Sequence, residues 1–135
     1  MKKRPIPLEW PAGALRDRSR VESALMSSLL VFTSLPDAAS AQTLAETLVE
    51  QRLAACVSIL GPARSVYRWS GRIEAATEVP LLIKTQAARY PALEAAILRL
   101  HPYELPEIVA VPVELGLPAY LAWVDAETEP IPAPC

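Results

Sequence analysis

Between Ala55 and Thr85 the chain reads ACVSILGPARSVYRWSGRIEAATEVPLLIKT, and its apolar and polar positions follow a period of two. On the second half, Ile73, Ala75, Thr77, Val79, Leu81 and Ile83 fall on one face, and Glu74, Ala76, Glu78 and Lys84 on the other, the alternation of a β-strand. The first half puts Cys56, Ser58 and Leu60 on one face and Val57 and Ile59 opposite, and strand-like composition resumes at Val66, Tyr67 and Trp69. Ser70-Gly71 between the halves suits a tight hairpin loop. Each arm of about 14 residues spans roughly 46 Å at about 3.3 Å per residue. A domain of about 100 residues has a radius of gyration of only ~13 Å. The hairpin therefore outruns its own globule. It is expected to bend at Gly61-Pro62, and its tip to overhang and pair with another copy of the chain.

The flanking patterns are helical or strand-like in turn. Leu29-Leu30-Val31-Phe32, within Ser28–Ser34, is apolar on both faces, as an interior strand requires. Asp37 is a good N-cap for a helix whose Ala41, Leu44, Ala45, Leu48 and Val49 recur at three- and four-residue steps, continuing to about Leu53. A second helix is predicted over Tyr90 to Leu100, with Pro91 in its first turn and Leu93, Ala96, Ile97 and Leu100 as its buried stripe. His101-Pro102 stops it, because the residue before a proline is pushed out of the α region. Ile108–Val113 reads as a strand that Pro112 confines to an edge. A short helix covers Pro118 to Val124. The fold class is then α+β, a ferredoxin-like βαββαβ sandwich with a long overhanging β-hairpin and a short C-terminal helix. Both main helices lie on one face of the sheet, and no helix is left for the other. That face is partly apolar, so self-association is expected to cover it.

At 135 residues the chain is one domain, large enough for a core without disulfides or metal. Residues 1–26 are basic, proline-bearing and charged, and read as a disordered extension with a helical turn near Val21–Leu25, or as a segment preceding a natural start at Met26. Residues 27–126 form the domain, and 127–135 a flexible proline-rich tail. A net charge of −2 gives no basic footprint for nucleic acid, and no apolar run is long enough for a membrane span. The ribonucleoprotein-type RNA-binding domain shares this strand order, but its aromatic strand motif is missing. Two cysteines, one in the hairpin and one at the terminus, make no disulfide framework and fit a reduced, cytoplasmic protein.

Candidate chemistry is sparse. His101, the single histidine, is either a helix-terminal residue interacting with the last carbonyls or a binding residue of the dense loop His101-Pro102-Tyr103-Glu104-Leu105-Pro106-Glu107. Cys56 is either a small buried hydrophobe or a soft ligand for copper or zinc, with Cys135 as an extra thiol. No CxxC or HxxxH spacing supports a metal site within one chain, although symmetry-related copies can complete one. Tyr67, Trp69 and Tyr103 serve either interface packing or the walls of a cleft between subunits, with Glu74, Glu78, Lys84 and Glu107 as polar contacts. Glu74 and Glu78 stand about 13 Å apart along a strand, too far to share a proton. Only four glycines and no phosphate-cradling or dinucleotide motif leave no sign of an organic cofactor.

Several ordered stretches together resemble the CutA family, the divalent-cation tolerance proteins. They are Leu53-Ala54-Ala55-Cys56, Tyr67-Arg68-Trp69 with Gly71 and Glu74, Glu78-Val79 through Leu82-Ile83-Lys84-Thr85, His101-Pro102-Tyr103 with Pro106-Glu107, and Trp123. The match covers about Leu29 to Ala126. The resemblance implies a homotrimer built through the long hairpins, similar in shape to PII signalling proteins. It also implies a non-catalytic role in tolerance of copper or another divalent cation. Carried over onto matching positions, it implies ligand binding by Tyr67, Trp69, Glu74, Lys84, Tyr103 and Glu107, and metal binding by His101 and Cys56. Ala75 and Ala76 depart from the acidic residues often found there, and the family's additional cysteines have no counterparts. The alternatives are a PII-like sensor trimer that binds a metabolite and a protein partner, and a small oligomeric enzyme with His101 and Glu107 as acid and base.

Overall fold

A segment apolar on both faces belongs in the middle of a sheet, and the computed structural model, which describes residues 27–131, puts it there. β1 (Ser28–Leu35) lies between β4 (Arg72–Gln86) and β5 (Val109–Pro112), antiparallel to both. The readings of residues 1–26 and of Cys135 lie outside the described residues. The first hairpin arm is two strands, β2 (Cys56–Ile59) and β3 (Ala63–Trp69), each pairing with β4. The sheet order β2-β4-β1-β5, with β3 on β4, is the expected α+β, ferredoxin-like arrangement. β5 is an edge strand and carries Pro112, as its missing N–H requires.

The hairpin bends where glycine and proline predicted, and the register shows how. Ile59 pairs with Leu81 and Ala63 with Glu78, so Leu60, Gly61 and Pro62 stand opposite Val79 and Pro80. This is a β-bulge, with one residue more on the outer arm. Before it, Val57 and Ile59 share the face of Ile83 and Leu81; beyond it, Tyr67 pairs with Glu74 on the opposite face. At the tip, Ser70 (φ 48°) and Gly71 (φ 76°) both take left-handed backbone, the signature of a two-residue type I′ loop. No described helix backs this part of the ribbon, and Val66 and Ile73 are 69% and 72% exposed.

The core lies on the face of Val31, Leu35, Val79, Leu81 and Ile83. α1 (Ala38–Glu50) packs Ala41, Leu44 and Leu48 onto it, and α2 (Tyr90–Leu100) packs Leu93, Ala96 and Ile97. The Asp37 carboxylate starts α1 by accepting the Ser40 N–H at 2.7 Å. The helix ends at Glu50, short of Leu53. Arg52 turns left-handed (φ 58°), and the Leu53 and Ala54 N–H groups both donate to the Leu48 carbonyl. Val49 and Leu100, expected in the buried stripes, flank them instead and are 44% and 43% exposed.

Two expectations need correction. α3 runs Pro118–Glu127, beyond Val124, and Thr128 is fully buried, so residues 127–129 are docked where the start of a loose tail was expected. The Thr128 hydroxyl donates to the Val124 carbonyl, while Arg52 donates to the carbonyls of Ala126 and Glu129 at 2.7 Å each. The Gln86 amide donates to the Asp125 carbonyl. These bonds also hold α3 over one end of the sheet face expected to have no helix. Phe32, Val109 and Val111, farther along that face, remain exposed.

Candidate functional site

Pro102 forces His101 into extended backbone (φ −78°, ψ 135°) at the end of α2, and this turns the imidazole back into the protein. His101 as a residue is 7% exposed. Nε2 lies 2.8 Å from the Ser34 carbonyl oxygen, which can only accept, so Nε2 carries the proton. Nδ1 is then free to accept the Tyr103 N–H at 3.1 Å. Burial lowers the imidazole pKa below the usual histidine range, against the opposing pull of the Ser34 carbonyl and the Glu78 charge. A neutral ring follows.

Tyr103 joins the histidine to a buried carboxylate. Its ring centroid lies 4.8 Å from that of His101, and its hydroxyl reaches the Glu78 Oε2 at 3.3 Å. Glu78 is 1% exposed, with small Ala63 as its cross-strand neighbour beside the bulge. Sequence reasoning named Glu78 as a polar contact of a cleft between subunits and not as the partner of Tyr103. Its proximity to the Gly61-Pro62 bend was the available signal.

The other candidate residues form two further groups. On the ribbon tip, Tyr67 and Glu74 are cross-strand partners whose hydroxyl and carboxylate lie 3.4 Å apart, and Trp69 pairs across from Arg72. On β2 and β4, Cys56 and Lys84 face each other across the ladder. The Lys84 ammonium donates to the Ser58 hydroxyl and lies 3.8 Å from the Cys56 sulfur. Ser58 was not singled out from the sequence, and its place one pleat beyond Cys56 was the only hint.

Among the described residues, one chain's donors do not fit a metal ion. Both ring nitrogens of His101 are engaged within the chain, and the Cys56 thiol sits beside an ammonium that repels a cation. No cluster of three or more histidine, cysteine or acidic side chains placed to hold a metal occurs among the described residues. His101 pairs with Ser34 and Tyr103, so the acid–base couple considered with Glu107 is not assembled within the chain. No described helix is long and apolar enough to cross a membrane.

Comparison with known proteins gives one consistent answer. The family model described as CutA1 divalent ion tolerance protein matches residues 29–127. Protein CutA of Mus musculus is 44% identical over 100 residues, covering 74% of this chain and 56% of that protein. The chain thus spans just over half the length of that relative. The divalent-cation tolerance protein CutA of Pectobacterium atrosepticum is 42% identical over 102 residues, covering 76% of this chain and 93% of its own. The solved CutA of Xylella fastidiosa superposes with a TM-score of 0.75 at 47% identity, over 76% of this chain and 99% of that one. That of Thermus thermophilus gives 0.74 at 41%, with the same coverage.

Proposed function

Because the chain belongs to the CutA1 divalent ion tolerance protein family, we propose that it serves divalent-cation tolerance as a cytoplasmic, non-catalytic homotrimer that binds at the seams between subunits. The observation that carries this reading is the ribbon tip. Val66 and Ile73 stand 69% and 72% exposed on a hairpin that no described helix of its own chain supports. An apolar β-ribbon left in water is an aggregation hazard, and pairing with other copies removes it. Phe32, Val109 and Val111 on the open sheet face offer a second apolar surface to the same neighbours.

In the assembly, Tyr67, Trp69 and Glu74 of one copy face the Tyr103–Glu107 loop of the next and form a cleft for a cation or a small ligand. Copper is the cation we favour: with His101 and Cys56 engaged within the chain, the cleft offers carboxylate oxygens, which Cu(II) accepts in tetragonal geometry. Its ligands come from more than one copy, because the described donors of a single chain do not converge. Light scattering and native mass spectrometry test the reading directly. The expected species is three times the 14.7 kDa chain, and calorimetry of that species with Cu(II) should give saturable binding. Monomers at micromolar concentration refute the assembly. Failure of the trimer to bind copper refutes the choice of cation while leaving the trimer standing.

A further inference from the structure

Beneath α3 lies a cavity of about 220 Å³, walled by Leu30, Lys84, Val113, Tyr120, Leu121 and Val124 among others. Its surface is almost wholly apolar. Lys84 lends the wall its methylene stem, while its ammonium rests on the Ser58 hydroxyl and the Cys56 thiol, neither of which borders the space. A buried water needs polar partners, and an apolar cavity without them stays dry. The surrounding side chains are braced against closing it. Leu121 is wedged against Gly116, where an added Cβ would stand only 3.0 Å from the Leu121 Cδ1. Val113 and Val124 are β-branched and stiff. α3 itself is pinned to the sheet by the Gln86 amide, which donates to the Asp125 carbonyl and the Thr128 hydroxyl. A preformed volume with no donor or acceptor on its wall turns away ions and hydrogen-bonding molecules and suits a hydrocarbon-like one. The size narrows the body. An engineered apolar cavity of about 150 Å³ holds benzene, so this larger one has room for a ring with a short alkyl arm.

We propose that this cavity is a binding site for an uncharged, hydrocarbon-like molecule, a single ring with a short alkyl arm, seated against Leu30, Leu121 and Val124. Filling the void gives those side chains the contacts they lack, and so locks α3 onto the sheet. The site is built within one chain, distinct from the ribbon tip and from the His101 loop. It stands or falls separately from any trimer or cation.

The test is a methyl-detected NMR titration of the full chain with ethylbenzene, benzyl alcohol, phenylacetate and triethylbenzene. Ethylbenzene should shift the methyl groups of Leu30, Leu121 and Val124, saturate below ~1 mM, and slow amide exchange in α3 but not in α2. Benzyl alcohol has the same shape with a hydroxyl in place of the methyl. It should bind about tenfold more weakly, since that hydroxyl is buried without a partner. Phenylacetate should leave the three residues unshifted. Triethylbenzene is more apolar than the others but too large, and should leave them unshifted as well. Equal binding of ethylbenzene and benzyl alcohol overturns the proposal, and so does binding of triethylbenzene, the mark of unspecific partition. Shifts at other methyl groups instead, or no saturation by ethylbenzene at its solubility limit, overturn it too. Every probe is applied to the wild type, so no variant has to fold for the result to decide.

Discussion

Replacing His101 is the sharpest probe of how this protein holds its proline loop. The imidazole satisfies two backbone groups 67 and two residues away, the Ser34 carbonyl at 2.8 Å and the Tyr103 N–H at 3.1 Å. His101→Ala strands both, and each unsatisfied buried group costs about 1–3 kcal/mol. With the lost ring packing, a destabilisation of about 3 kcal/mol is expected, a large share of the ~5–15 kcal/mol typical of a domain. His101→Gln keeps a donor and an acceptor, so its loss should be nearer about 1 kcal/mol. The same geometry fixes a pH dependence. Protonation would put a second N–H on Nδ1, pointing at the Tyr103 N–H, and burial already holds the folded pKa below the ordinary 6.5. The unfolded chain therefore takes up the proton first as pH falls. The stabilisation is complete above the unfolded value and is lost below it, by up to about 1.4 kcal/mol per pH unit until the folded pKa is reached. Urea unfolding between pH 7.5 and 5 measures the slope, and His101→Gln should flatten it. Because the sequence has one histidine, its ring nitrogen signals need no assignment. They should report the Nε2–H tautomer and a pKa below 6.5. An Nδ1–H tautomer, an ordinary or raised pKa, or an unchanged acid slope in His101→Gln would refute the reasoning.

Three further outcomes are expected. The Thr33 hydroxyl is buried with no hydrogen-bond partner, so Thr33→Val should raise stability by about 1 kcal/mol in denaturant melts; a loss of that size would mean that the hydroxyl is satisfied. Arg52→Met should release the Ala126 and Glu129 carbonyls and cost about 1–2 kcal/mol, with amide exchange accelerating in α3 and not in α1. Ile73→Lys, at a position 72% exposed, should convert the assembly to monomers by light scattering while the far-ultraviolet spectrum stays unchanged; an intact trimer removes the ribbon tip from the interface.

What could be read in advance follows the physics of each element. The alternation of β4 was legible because its core half, from Val79 to Ile83, is buried on one face only, so its period of two survives in the composition. The Gly61-Pro62 bend was legible because those two residues are costly inside a ladder. The end of α1 was not, because it depends on a left-handed Arg52, a residue type with no preference for that conformation. The docking of α3 was hidden for a related reason. Leu117 through Val124 is apolar around most of the helix, and Tyr120 and Trp123 remain 42% and 43% exposed. Its composition therefore did not say which side meets the sheet. The dense loop from His101 announced itself as special, but its partners Ser34 and Glu78 come from other strands. The candidate ligands were found as residue types and not as a constellation.

The surplus residue at Leu60–Pro62 acts as a phase shift in the first arm of the ribbon. Odd-numbered positions upstream of it point toward the helices, and odd-numbered positions downstream point away from them. Removing one residue there would abolish the bulge and its phase shift, while Tyr67 kept its place opposite Glu74 and every pairing of β2 stayed intact. The two-residue loop at Ser70-Gly71 therefore decides which surface the ribbon's aromatics serve, because it fixes their register against β4, while the surplus residue sets only the twist with which the ribbon leaves the sheet.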